Sequence, residues 1–214
     1  MRLDYDRETL EESALAATPL EQFQRWLDDA VAEPAIVEPN AMVLGTLGDV
    51  PHARSVLLKA IDQRGLTFYT NYGSRKAADM AGTTAVSALF PWYPLHRQVI
   101  VTGDVTRVSR EESAEYFHSR PHTSQLGAMA SAQSAPIASR QVLEDTMAAL
   151  QQRYPEGTNV PLPDNWGGYL ISVDTMEFWQ GRRSRLHDRL RFERTGSTSD
   201  LTMASAWRVQ RYSP

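Results

Sequence analysis

Five arginines, a histidine and a tryptophan fall within EFWQGRRSRLHDRLRF, residues 177–192, of a chain whose formal net charge is -4. Guanidinium groups pair in forked geometry with phosphate or carboxylate, so this segment can hold an anion. Three other stretches can do the same. In ARSVLLK, residues 53–59, an extended strand would turn Arg54, Val56 and Leu58 to one face and Ser55, Leu57 and Lys59 to the other. Arg54 and Lys59 then serve two anions on opposite sides, unless a bulge intervenes. In FYTNYGSRKA, residues 68–77, a strand delivers Tyr69 and Thr70, and Ser74-Arg75-Lys76 opens a helix. Adjacent cations beside the free N–H groups of a helix start make a phosphate cradle. In YFHSRPHTSQLG, residues 116–127, Tyr116 and Arg120 share a helix face, Pro121 breaks that helix, and Ser124 stands where it can cap the next. Phenol, guanidinium and hydroxyl together can coordinate a phosphate dianion. A basic face turned to water is the competing explanation for each stretch.

Other chemistries find less support. The chain has no cysteine, which removes thiol nucleophiles, disulfides and thiolate metal sites. His118 and His122 are four apart, but Pro121 intervenes and no third ligand is near, so no metal is expected. There is no GxSxG elbow and no glycine-rich dinucleotide fingerprint. A nucleic-acid groove needs a continuous basic stripe, whereas Asp188 interrupts the arginine run and the pI is near 5.7. No apolar run approaches the length of a membrane span, and MRLDYDRETLEESALAA lacks the apolar centre of a signal peptide. A cytoplasmic protein without nucleic-acid or membrane partners is expected. Only two of the 22 basic residues are lysines, Lys59 and Lys76; a genome that favours arginine codons accounts for most of that bias, and the sharper reading is that a compact, mobile charge suits these two sites.

The 214 residues, 42% hydrophobic and 22% charged, suit one folded domain over 19–214, preceded by a polar arm over 1–18 read as mobile. Thr18-Pro19 should start a helix whose apolar face is Leu20, Phe23, Leu27 and Val31, ending before Pro34. AMVLGTL, ARSVLLKAI and GLTFYTN read as strands of an antiparallel meander. SRKAADMAG reads as a helix capped by Ser74, and TAVSALFPW and RQVIVTGDVTRVS as strands. REESAEYFHSR and SRQVLEDTMAALQQRY read as helices with Ser109 and Ser139 as caps. PEGTNVPLPDNWGG is a loop of the kind that borders a site, GGYLISVDTMEFWQ a strand, and TMASAWRVQRY a last strand after the polar turn TGSTSD. The sum is an α+β domain built on a closed or partly closed, mainly antiparallel barrel.

RSVLLK, FYTNYGSRKA, FPWYPLHRQV, YFHSRPHTSQLGAMASAQS, VPLPDNWGGY and EFWQGRRSRLHDR, in that order, resemble the pyridoxine/pyridoxamine 5′-phosphate oxidase family and cover most of residues 40–192. The resemblance implies a split β-barrel of the FMN-binding type with surrounding helices, paired as a homodimer with FMN in clefts at the interface. It implies FMN contacts at Arg54, Ser55, Val56, Leu57, Leu58, Lys59, Tyr69 and Thr70, with Arg75 and Lys76 at the flavin phosphate. Gln98, Gln133, Ser134, Trp179 and Arg189 also match flavin positions. Lys59, Tyr116, Arg120 and Ser124 match the substrate-phosphate clamp, and Arg185 and His187 the catalytic positions over the substrate ring. The implied reaction is oxidation of pyridoxine 5′-phosphate and pyridoxamine 5′-phosphate by dioxygen to pyridoxal 5′-phosphate, with hydrogen peroxide released. Arg185 would assist electrostatically, since a guanidinium is a poor base. Arg182 and Arg183 are expected to face solvent, and Arg2 and Tyr5 loosely match an Arg-x-x-Tyr that can close over the site. Two alternatives stand beside this. Another split-barrel flavin-dependent reductase would not need the phosphate clamp; a non-enzymatic carrier of pyridoxal phosphate would not need the flavin positions.

Overall fold

Strand β1 (Ala41–Leu47) alternates along its length, burying Met42, Leu44 and Thr46 while the intervening residues stay more open. That period of two is what a sheet with one face on a core demands. The same alternation runs through β5 (Ala85–Trp92) and the first part of β6 (Arg97–Arg107), where Val99, Val101 and Val105 point inward. The computed structural model describes residues 9–214, so Arg2 and Tyr5 lie outside the described residues. With β2 (Pro51–Leu57), β3 (Ala60–Asp62), β4 (Gly65–Asn71), β7 (Trp166–Gln180), β8 (Asp188–Arg194) and β9 (Trp207–Arg211), the strands form one antiparallel sheet in the order β2-β1-β5-β6-β7-β4-β3.

Two features turn this sheet into a split barrel. The long strand β7 holds β6 on one edge, while its other edge pairs with β4 through Trp166–Ile171 and with β8 through Thr175–Gln180. The register between β6 and β7 shifts at Thr102/Gly103, a bulge that adds local twist where the partner changes. At the far end, Leu58 N–H donates to Asn40 while Lys59 N–H donates to Thr67. Two consecutive residues thus cross from the β1 side to β4, joining the ends of the strand order. ARSVLLKAI is therefore two strands, not one.

Helix α1 (Pro19–Ala32) begins as expected, with Thr18 Oγ1 accepting from Glu21 N–H and proline in the first turn. Its inward stripe is Phe23, Trp26 and Ala30; Val31 is 64% exposed, because the indole of Trp26 carries the packing onto Phe178 at 5.1 Å. Phe23 meets Phe90 edge-on at 5.0 Å, so α1 closes the main core. Helices α3 (Arg110–Ser119), α4 (His122–Ala130) and α5 (Arg140–Arg153) gather a smaller core of Phe117, Leu126, Val160 and Trp166. Ser109 caps α3 through Glu112 N–H; Ser139 stands at the start of α5 but makes no capping bond. Before α1, Leu10 and Ala16 are buried, and Arg211 binds Glu12 and the Leu10 carbonyl. The mobile arm read over 1–18 thus falls partly outside the described residues, and its later part packs against β8 and β9.

Strand β8 was not expected within the arginine-rich segment. Its pattern is nonetheless period two: Leu190 and Phe192 are buried, and Arg189 and Arg191 face the other way. Outward arginines hide such a strand in a search for apolar runs.

Candidate functional site

Where β2, β4 and the α2 helix (Arg75–Gly82) meet α3 and α4, a cavity of about 810 Å³ opens, within the roughly 300–1,000 Å³ typical of ligand pockets. It gathers Arg54, Ser55, Val56, Leu57 and Lys59 from β2 and the residues after it. Tyr69 and Thr70 come from β4 and Lys76 from α2; Tyr116, Arg120 and Ser124 come from α3, α4 and their junction, and Gln133 and Ser134 from the loop beyond. Among the described residues that line it, four are cations, Arg54, Lys59, Lys76 and Arg120, and none is a carboxylate. Both lysines of the chain are among them.

Each cation is held differently. Ser74 caps α2 and turns Lys76 back over the helix start, where Nζ donates to Thr70 Oγ1 at 3.1 Å, Ser74 Oγ at 3.3 Å and Gln133 Oε1 at 3.0 Å. All three acceptors are neutral. Burial, then the nearby Arg54 charge, pushes the Lys76 pKa below its ordinary value. Arg54 Nη1 donates to the Leu44 carbonyl and to Thr46 Oγ1. Arg120 stands over Trp166, with its guanidinium carbon 4.8 Å from the ring centroid, and its Nη1 is buried with no hydrogen-bond partner among the described residues. Burial lowers its pKa, only partly offset by Tyr116. Tyr69 stacks on Tyr116 at 3.9 Å and on Trp166 at 5.5 Å. Burial, then the Glu112 charge, pushes the Tyr69 phenol up to about 12, so it stays protonated.

An orphaned buried guanidinium and a buried ammonium with only neutral partners are costly in themselves. They fit a ligand that brings negative charge, and the flat Tyr69–Tyr116–Trp166 stack fits one that also brings aromatic rings.

Some placements differ from the strand arithmetic. Arg54 and Lys59 line the same cavity, because β2 ends at Leu57 and the crossing at Leu58–Lys59 breaks the alternation. Leu58 itself is buried in the core. Ser124 does not cap α4; Pro121 occupies the cap position and Ser124 sits one turn inside. Arg75 is exposed outside the cavity lining, although its backbone N–H donates to Ser134 Oγ at 3.2 Å.

A second group does not line this cavity. Gln98 lies opposite Trp179 across β6–β7, and Trp179 opposite Arg189 across β7–β8, so the three form one row on the outward face. One step along, Glu177 is 2% exposed and accepts from Arg189 through both carboxylate oxygens and from Arg191 through Oε2 at 2.6 Å. Arg191 is thus part of the structure's own ion cluster. Arg185 and Ser184 both have positive φ, 64° and 58°, a strained turn that displays the arginine. His187 Nδ1 accepts from Arg182 N–H at 3.0 Å, which leaves the ring proton on Nε2. Burial, then the Arg185 charge, lowers the His187 pKa against the pull of Asp188, favouring that neutral form. Arg182 binds Asp188 at 3.3 Å instead of facing only solvent.

Two family models match: residues 27–154 fit "Pyridoxamine 5'-phosphate oxidase" and residues 166–214 fit "Pyridoxine 5'-phosphate oxidase C-terminal dimerisation region". A curated pyridoxine/pyridoxamine 5′-phosphate oxidase of Streptomyces avermitilis is 52% identical over 100% of this chain and 95% of its own length. The chain belongs to the pyridoxine/pyridoxamine 5′-phosphate oxidase family. Its relative from Prochlorococcus marinus, of the same name, is 47% identical over 100% of this chain and 95% of that one. Among solved structures, PhzG from Burkholderia lata, in complex with tetrahydrophenazine-1-carboxylic acid, superposes with a TM-score of 0.86 at 28% identity, covering 99% of this chain and 100% of that one. A pyridoxamine 5′-phosphate oxidase-related, FMN binding protein from Nostoc punctiforme shares the fold, with a TM-score of 0.71 at 15% identity over 94% of this chain and 100% of that one.

This oxidase-family chain also uses residues that sequence reasoning left out. Trp166 carries the stack and the Arg120 contact, and Asn71 and Ser131 line the cavity, joined by Asn71 Nδ2 donating to the Ser131 carbonyl. Trp166 lies within the stretch PEGTNVPLPDNWGG, whose reading as a site-bordering loop was the available signal. Among the described residues no helix is long and apolar enough to cross a membrane.

Proposed function

We propose that this protein is a cytoplasmic, FMN-dependent oxidase that converts pyridoxine 5′-phosphate and pyridoxamine 5′-phosphate to pyridoxal 5′-phosphate with dioxygen. The observation that carries this is the cavity to which the described residues bring four cations and no carboxylate, and in which Arg120 Nη1 has no partner among them. FMN, when bound, would take up the substrate's hydride and pass the electrons to dioxygen. Lys76, Arg54 and the N–H groups at the start of α2 would hold its phosphate, with Arg75 beside them. Arg120, Lys59, Tyr116 and Ser124 would hold the substrate phosphate, a second dianion needing its own cations. Fixing the substrate by this remote group spends binding energy on orienting the reacting carbon. His187, neutral and protonated on Nε2, would donate to the substrate, and Arg185 would place positive charge over its ring.

Gln98, Trp179, Arg185, His187 and Arg189 lie outside the cavity of their own chain. A homodimer in which one copy's row completes the other's cavity accounts for both half-sites, and the matched dimerisation region contains Trp179, Arg185, His187 and Arg189. The flavin-binding domain then runs over 19–214.

The test is anaerobic mixing of the flavin-loaded protein with each vitamer phosphate while flavin absorbance is followed. Bleaching by both supports the proposal, and absence of bleaching with either overturns it. The likeness to PhzG favours one second reading, action on a reduced phenazine carboxylate. Bleaching by tetrahydrophenazine-1-carboxylic acid alone would establish that reading in its place.

A further inference from the structure

Asp79 stands three residues after Lys76 on α2 and does not line the cavity, yet its side chain is only 4% exposed. Burial works to raise its pKa, but hydrogen bonds from Thr46 and His52 and the charge of Arg54 outweigh it and hold the pKa below its ordinary value. An ionised carboxylate only accepts hydrogen bonds. Thr46, itself buried, therefore gives its single hydroxyl proton to Asp79 Oδ2 at 2.7 Å. That leaves only lone pairs on Oγ1 for Arg54, whose Nη1 donates there at 2.7 Å and to the Leu44 carbonyl at 3.0 Å. His52 Nδ1, 3.1 Å from the same carboxylate oxygen, must carry its ring proton there. The Arg54 Nη2 group lies 3.6 Å from that oxygen. Every donor direction in the chain Arg54–Thr46–Asp79 is thus set by the carboxylate at its end.

Room for this arrangement comes from the turn between β1 and β2. A Cβ added at Gly48 would sit 2.5 Å from Asp79 Oδ1 and 3.2 Å from its Cγ, so any side chain there displaces the carboxylate. Arg54 and Lys76 meanwhile line one cavity, and each lies close enough for the charge of Arg54 to act on Lys76.

We infer that Thr46 and Asp79 are positioning residues that lock the Arg54 guanidinium into the anion seat it shares with Lys76, and so set how strongly the protein prefers a phosphorylated flavin. The inference rests on the proposal that this seat receives the flavin phosphate. Neither residue lines the cavity; both act through Arg54.

FMN and riboflavin differ only in the phosphate, so the ratio of their affinities isolates the seat. The full-length protein, freed of flavin, is titrated with each while flavin fluorescence is followed. Wild type should bind FMN more tightly than riboflavin. Thr46→Val, close in shape to threonine, should lose roughly tenfold or more of that preference with riboflavin affinity kept, the scale of one hydrogen bond to a charged group. Thr46→Ser should restore it. Gly48→Ala, which disturbs Asp79 from the opposite side, should act like Thr46→Val and serves if that variant fails to fold. A wild-type ratio retained in Thr46→Val or Gly48→Ala overturns the relay, as does an equal loss for both flavins. A wild type without preference overturns the phosphate seat itself.

Discussion

The guanidinium of Arg120 lies 4.8 Å from the centre of the Trp166 ring, with Nη1 buried and unpartnered. The indole satisfies one face of the cation and leaves its donors for a ligand. Replacing Arg120 with methionine should therefore leave the melting temperature unchanged or higher. It should raise the KM for pyridoxine 5′-phosphate by roughly 10- to 100-fold, the scale of a lost charged hydrogen bond. A lower melting temperature with an unchanged KM would make Arg120 a structural residue only.

Lys76 should give the proposed phosphate seat an alkaline limit. Its pKa in the folded protein is lowered by burial and by Arg54. If Lys76 holds the flavin phosphate as proposed, its charged form favours the dianion, so FMN affinity should be complete below that lowered pKa and fall as pH rises through it, before reaching the 10.5 of a free lysine. Lys76→Met should bind FMN weakly at neutral pH and show no such fall. An identical alkaline loss in the variant would assign the titration elsewhere.

Glu177 anchors two arginines from a buried position. Burial alone would raise its pKa, but hydrogen bonds from Arg189 and Arg191 prevail and lower it. A depressed carboxyl contributes stability that is complete above its unfolded value of 4.5 and is lost as pH falls through the folded one. Glu177→Gln should cost about 2–4 kcal/mol at neutral pH, in line with a broken buried pair whose partners are partly hydrated. Chemical denaturation across the acid range checks this; the difference from wild type should shrink as the pH drops.

Gly168 sets the position of the aromatic wall. An added Cβ would lie 2.8 Å from the Tyr69 ring and 2.7 Å from Val108. Gly168→Ala should displace Tyr69 from Tyr116 and Trp166 and destabilise the fold by about 1–3 kcal/mol, the usual cost of overpacking. Near-ultraviolet circular dichroism should report the altered stack. An unchanged spectrum would count against a rigid wall.

If each cavity is completed by a second copy, half-sites can be complemented. Lys76→Met and Trp179→Leu should each be nearly inactive alone. Mixed under subunit exchange they should recover about a quarter of wild-type activity, since half the dimers are mixed and each holds one intact site of two. Exchange proven by mass spectrometry without recovered activity would place both residues in one subunit's site.

Much of the fold was legible because its signals are local. The Thr18, Ser74 and Ser109 caps and the alternation in β1, β5 and β6 depend on neighbours a few residues away. Legibility failed where tertiary pairing overrode that local logic. Leu58 and Lys59 change hydrogen-bond partners to close the barrel, so strand arithmetic put Arg54 and Lys59 on opposite faces. Arginines turned outward concealed β8, and Pro121 rather than Ser124 took the cap of α4.

The sequence by itself determined the chemistry available: an acidic chain without cysteine, two lysines, and arginines clustered near aromatic residues. It also determined the family, because six motifs in order leave little else. The tertiary structure alone decided which cations share a cavity, that no carboxylate of the described residues joins them, and that Asp79 and Thr46 stand behind Arg54. It also separated EFWQGRRSRLHDRLRF from the cavity of its own chain. These are relations between strands and helices far apart in the chain. They depend on where a closing sheet brings its edges, and no short window of residues carries that information.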